Sequence, residues 1–149
     1  MKILLIEDDQ HKAKQIIDYL IDKFVDSSVE IRKSYQSGLK ELLANSYDLV
    51  LLDMQLPNFD IKSGEDGYKF RKLAGIDILR ELTRKKIACK VIVVTQFETF
   101  GEGEFYLELK DLKQILKQDF KSLYIDTVFY SPDKSLWQTE LFQLIKSHI

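Results

Sequence analysis

Three short apolar runs in this 149-residue chain each end in a residue suited to oxygen chemistry. Lys2-Ile3-Leu4-Leu5-Ile6 runs into Glu7-Asp8-Asp9, Leu49-Val50-Leu51-Leu52 into Asp53, and Lys90-Val91-Ile92-Val93-Val94 into Thr95. Continuous runs of this kind read as strands buried on both faces, as in a parallel sheet covered by helices. Open parallel sheets bind ligands outside the carboxyl ends of their strands. Glu7, Asp8, Asp53 and Thr95 are therefore expected along one edge, where several carboxylates can converge on a hard cation. Taken singly, such an aspartate is often a cap or turn residue and such a threonine a simple strand former. Agreement across three segments favours a shared pocket.

The elements that must position these residues follow from hydrophobic spacing. Ile16, Ile17, Leu20, Ile21 and Phe24 recur at helical intervals, predicting an amphipathic helix from about Gln10 to Phe24 with the acidic cluster in the loop before it. Val29 and Ile31 alternate with charged neighbours in a short edge strand. Leu39, Leu42 and Leu43 mark a second helix, and Ile76, Ile78, Leu79 and Leu82 a third. A fourth is expected from Leu107, Leu109, Leu112, Ile115 and Leu116. Leu123 to Tyr130 reads as a fifth strand, ending in Ser131-Pro132, and Leu136, Leu141, Leu144 and Ile145 supply the last helix. Five strands alternating with five helices predict an α/β, doubly wound, three-layer sandwich. Right-handed crossovers then set the ends of the first, third, fourth and fifth strands side by side.

Composition narrows the function classes. Apolar residues at 45% and charged residues at 31% are ordinary for one globular domain, and a net charge of -2 argues against a nucleic-acid surface. Cys89 is the only cysteine, so no intramolecular disulfide can form. The chain opens directly on a strand, without a signal-like segment, and no run approaches the roughly 20 apolar residues of a membrane span. A single cytoplasmic module with no output domain and no membrane contact is expected.

These residues resemble the receiver domain of two-component response regulators, whose fold is flavodoxin-like. Ile3 to Asp9 is similar to the first strand and acidic pair of that family, and Leu49 to Pro57 to its phosphoacceptor segment. Val91 to Thr95 is similar to its hydroxyl-bearing fourth strand, and Gly75 to Leu79 to the start of its third helix. The resemblance spans essentially the whole chain. It implies that Asp53 accepts a phosphoryl group, that Thr95 donates a switching hydroxyl, and that Glu7, Asp8, Asp53 and the backbone carbonyl of Gln55 hold Mg2+. Magnesium prefers a few protein oxygens plus water, and it offsets the repulsion between an aspartate and a phosphoryl donor.

The sequence also departs from the family. Receivers carry a lysine before the proline that ends the fifth strand; here Ser131 stands there, and a cation facing the acidic cluster is expected to be missing. Lys134 lies beyond the proline and is a poor substitute. Gln96 follows Thr95 where a small residue is usual. Val128 takes the place of the aromatic switch residue, with Tyr130 rather than Phe129 on the same face. Two insertions, at about 58–74 and about 97–110, flank the expected pocket, the second bearing Phe97, Phe100, Phe105 and Tyr106.

Two readings follow. The first is a stand-alone response regulator phosphorylated by a histidine kinase or phosphotransfer protein, acting on a downstream protein partner and able to form a homodimer. The alternative is a phosphorylation-independent, receiver-like interaction module, favoured by Ser131. A metal-dependent phosphatase or hydrolase ranks last, because the strand ends offer neither a general acid or base nor a basic substrate anchor. His11 is expected to face solvent, and His148 lies in the terminal turn.

Overall fold

The computed structural model of the chain describes residues 1–61, 70–101 and 103–149. Five parallel strands form the main sheet: β1 (Lys2–Ile6), β2 (Ser28–Arg32), β3 (Leu49–Leu52), β6 (Lys90–Thr95) and β9 (Tyr124–Phe129). Their order is β2-β1-β3-β6-β9, so β2 is an edge strand and β9 is the expected fifth strand. Among the described residues five α-helices accompany them, four in the connections and one after the last strand: α1 (Gln10–Lys23), α2 (Tyr35–Ala44), α3 (Ala74–Arg84), α4 (Leu109–Asp119) and α5 (Leu136–His148). This is the doubly wound sandwich that the alternation of patterns predicts.

The inner strands β1, β3 and β6 are apolar on both sides because both sides are covered. Ile3, Leu5, Leu49, Leu51, Ile92 and Val94 pack with Ile16 and Leu20 of α1 and with Trp137, Leu141 and Ile145 of α5. Leu4, Ile6, Val50, Leu52, Val91 and Val93 face α2, α3 and α4. Each such side chain contributes about 1.5–3 kcal/mol by leaving water, and this burial fixes the strand register. Ile6 pairs with Leu52, and Leu52 with Val93. One residue further on, Glu7, Asp53 and Val94 lie in a row across three adjacent strands.

Alternation assigns sides. Glu7 continues the Ile3–Leu5 series and Asp53 the Leu49–Leu51 series, so both lean toward α1 and α5, whereas Thr95 continues the Val91–Val93 series toward the other face. Gly75, in the first turn of α3, lets that helix approach the loop after β3. A Cβ there would stand 2.1 Å from Met54 Cε and 3.0 Å from the Asp53 carbonyl oxygen. The Gly75 N–H donates to the Met54 carbonyl at 3.2 Å.

Several details differ from the expectation. Leu107 lies outside the fourth helix, in β8 (Leu107–Glu108), which pairs antiparallel with β7 (Thr99–Phe100). This hairpin buries Phe100 and leaves Tyr106 exposed. A second hairpin joins β4 (Leu56–Pro57) to β5 (Phe70–Arg71). Gly64, Gly67 and the charges between Lys62 and Lys69 lie outside the described residues. Ile21 and Leu43 are exposed, at the margins of their helical stripes, and in α5 the core position belongs to Trp137, with Leu136 turned to solvent.

Candidate functional site

The loop between β1 and α1 divides three consecutive acids among three tasks. Asp9 is the N-cap of α1, its carboxylate accepting from the Lys12 N–H at 3.0 Å. Glu7 is buried, and its Oε1 accepts from the Asp9 N–H at 3.0 Å. Asp8 is half-buried. With Asp53 these side chains offer carboxylate oxygens that all lie within 4.8 Å of one another. The group opens into a cavity of about 290 Å³ lined by Glu7, Asp8, Asp9, Asp53, Gln55, Phe70, Gln96 and Phe97. Gln55, whose carbonyl was expected near the metal, and Gln96, which replaces the usual small residue, both line this cavity.

Asp53 is 4% exposed. Its Oδ1 accepts from the Met54 N–H at 2.7 Å, and its own N–H donates to the Ile6 carbonyl at 3.2 Å. The tight α3 approach allowed by Gly75 holds this loop from behind. Thr95 is fully buried at the end of β6, and its Oγ1 accepts from the Phe97 N–H at 3.2 Å. A hydroxyl that accepts in this way can also donate by rotating its hydrogen.

The expectation of a missing cation is overturned. Lys12, 1% exposed on the inner face of α1, reaches Glu7 Oε2 at 2.5 Å and Asp53 Oδ2 at 3.2 Å. Its third partner is the Val94 carbonyl oxygen, at 2.8 Å. Three ammonium hydrogens thus meet three acceptors, at the ends of β1 and β3 and on β6. The sequence carried a signal for this: counting back four residues from Ile16 in the Ile16–Leu20 stripe reaches Lys12, a charged residue at a core position. Such a residue is buried only when paired. Lys134, by contrast, lines a separate groove of about 660 Å³ with Asp18, Asp22 and Trp137, beside α1 and α5. Ser131 is half-buried just past β9 and is not among the residues lining the acidic cavity.

Electrostatics reflect the crowding. Burial pushes the Glu7 carboxyl up to about 8, with the Asp53 charge adding to the effect and Lys12 opposing it. Burial, followed by the Asp53 charge, also raises Asp8. For Lys12 burial disfavours the ammonium, but the nearby Asp53 and Glu7 outweigh it and the pKa rises. The ammonium is thus favoured beside the buried carboxylates, and a cation reaching Glu7 would compete with its proton.

On the neighbouring strand, Val128 is buried and Phe129 is partly exposed, while Tyr130 is buried on the Val128 side. The Tyr130 hydroxyl donates to Gln15 Oε1 at 2.6 Å, its ring lies 5.8 Å from Lys12 Nζ, and it packs on Trp137 at 5.3 Å. His11 and His148 are exposed, and neither lines the acidic cavity.

The chain is similar to known proteins in sequence and in fold. A family model for the response regulator receiver domain matches residues 3–124. The Detocs response regulatory protein DtcB of Enterobacter cloacae is 30% identical over 148 residues, covering 97% of this chain and 98% of that protein. The response regulator ArlR of Staphylococcus saprophyticus is 27% identical over 123 residues, covering 77% of this chain and 49% of ArlR. Among solved structures, the response regulator protein TrrA from Thermotoga maritima, in complex with Mg(2+)-BeF, matches with a TM-score of 0.64. That match covers 99% of this chain and 98% of TrrA at 19% identity, a likeness of fold.

Proposed function

The chain belongs to the response regulator receiver domain family, and from that premise we propose that it is a stand-alone regulator whose Asp53 accepts a phosphoryl group with the help of Mg2+. The observation that carries the proposal is the set of Glu7, Asp8 and Asp53 oxygens within 4.8 Å of one another at the mouth of an open cavity. Oxygen donors at this density suit a hard divalent cation. Glu7, Asp8, Asp53 and the Gln55 carbonyl would hold the ion, and when bound it would neutralise Asp53 and the incoming phosphoryl oxygens together. The fold neighbour TrrA was itself solved in complex with Mg(2+)-BeF, which accords with a metal-dependent role.

The chain's own residues carry the rest. An Asp53 carboxylate oxygen forms the new P–O bond as the donor's bond to phosphorus breaks, the electron pair leaving with the donor's oxygen or imidazole nitrogen. The Met54 N–H fixes the carboxylate for that attack. The Thr95 hydroxyl donates to a phosphoryl oxygen and shifts inward as the group arrives, giving a two-state element that the modification biases. The donor is a histidine kinase or phosphotransfer protein, and the output passes through protein contact, including a homodimer where two copies meet.

Incubation with Mg2+ and acetyl phosphate followed by intact mass measurement tests this reading. Wild type gains a phosphate adduct that Asp53→Ala lacks and that chelation of the metal prevents. Magnesium binding without an adduct would leave a phosphorylation-independent interaction module.

A further inference from the structure

We propose that Lys12, delivered by α1, is the residue whose ammonium binds the phosphoryl group on Asp53, the positive charge entering through the helix face rather than from the end of β9. The inference rests on the phosphoacceptor reading of Asp53 and deepens it.

Geometry supplies the case. Lys12 Nζ is already 3.2 Å from Asp53 Oδ2, so a phosphoryl group joined to that carboxylate arrives within reach of the same ammonium. Lysine carries a compact charge on a long flexible stem, and small torsional changes redirect its three donors. In the unmodified protein those donors serve Glu7, Asp53 and Val94. On modification the donor now given to Glu7 or Asp53 turns to a phosphoryl oxygen, while the Val94 carbonyl keeps the third. Val94 is the residue before Thr95, so the carbonyl that anchors the ammonium and the Thr95 hydroxyl are contributed by consecutive residues of β6.

A purely structural ion pair explains the arrangement less well. A buried pair contributes little net stability relative to apolar residues of similar volume, and Lys12 occupies a stripe position where the helix otherwise places Ala13, Ile16 and Leu20. The side chain is also held near the reactive centre from its far side. The Tyr130 ring lies 5.8 Å from Nζ, and the Tyr130 hydroxyl is bound by Gln15, three residues along the same helix. These contacts keep the stem directed at Asp53.

The test is the rate of phosphate-adduct formation from acetyl phosphate at saturating Mg2+ for wild type and Lys12→Met, which keeps the length of the stem and removes the charge. Loss of a charged donor aimed at developing negative charge slows such a step by about 100-fold. We expect that loss in a variant that still unfolds cooperatively and still binds Mg2+. A folded Lys12→Met that forms the adduct at the wild-type rate overturns the inference and leaves Asp53 as acceptor. A wild type that forms no adduct overturns both. Where the variant does not fold, 15N NMR of the buried Lys12 ammonium in wild type decides. A shift on adding beryllofluoride to the Mg2+-loaded protein supports the contact, and an unmoved resonance overturns it.

Discussion

Two charge clusters in this molecule use similar groups at different depths. At the carboxyl edge of the sheet, Lys12 joins Glu7 and Asp53 with all three side chains at most 4% exposed. On the flank of α2, Arg32 Nη2 meets Glu41 Oε2 at 2.9 Å, and Glu41 Oε1 accepts from the Tyr47 hydroxyl at 2.5 Å and from Asn45 Nδ2 at 2.9 Å. There Arg32 and Glu41 keep contact with water while Tyr47 is buried; the Tyr47 bond leads in holding Glu41 below its usual range, and burial with the Glu41 bond pushes Tyr47 up to about 12. The flank cluster is a modest brace between β2 and α2. The edge cluster costs desolvation and concentrates like charges, an arrangement that makes sense where a cation or a phosphoryl group is to arrive.

The contrast can be broken at its deep end first. Lys12→Met leaves Glu7 and Asp53 without their ammonium, and removing one partner of a buried pair typically costs about 3–5 kcal/mol. We expect a loss of that order in metal-free protein by urea denaturation, with Glu7→Gln in the same chain recovering part of it. A loss no larger than that of an exposed pair would make the edge cluster ordinary. Gly75→Ala reaches the same cluster through the backbone. The new methyl group meets Met54 and the Asp53 carbonyl, and overpacking of this kind costs about 1–3 kcal/mol, with adduct formation on Asp53 slowed in parallel.

The flank is expected to respond least. Glu41→Gln removes a partly exposed ion pair worth about 0.5 kcal/mol. Because the folded pKa of Glu41 lies below its ordinary 4.5, its contribution is fully present above that value and is lost as pH falls through the folded pKa. The stability difference between wild type and Glu41→Gln should therefore be constant from neutral pH down to about 5 and shrink below it. A difference that grew on acidification would show that the carboxylate is not the stabilising form.

Sequence patterns made the sheet legible because β1, β3 and β6 are covered on both faces, so their apolar runs and polar ends mark strand ends directly. Glu7, Asp8, Asp53 and Thr95 could be placed along one edge for the same reason. Lys12 escaped because helical stripes are read from apolar residues, and a lysine at a stripe position looks like the end of the stripe. Its partners lie 5, 41 and 82 residues away in the chain, and only tertiary structure brings them together. Leu107 misled for a different reason. Two-residue strands such as β7 and β8 are too short to impose a period, so an adjoining helical spacing absorbs them. Trp137 and Leu136 show a third limit, since adjacent apolar residues at a helix start leave the buried one undecided until the helix docks.

The central claim, that Asp53 is the phosphoacceptor, is tested most directly by trapping the product. Wild-type protein is incubated with Mg2+ and acetyl phosphate, reduced with borohydride, which converts an aspartyl phosphate to homoserine, and mapped by peptide mass spectrometry. Homoserine is expected at position 53, and only when both metal and phosphodonor are present. Homoserine at another carboxylate, or none at 53 in protein shown to bind Mg2+, would contradict it.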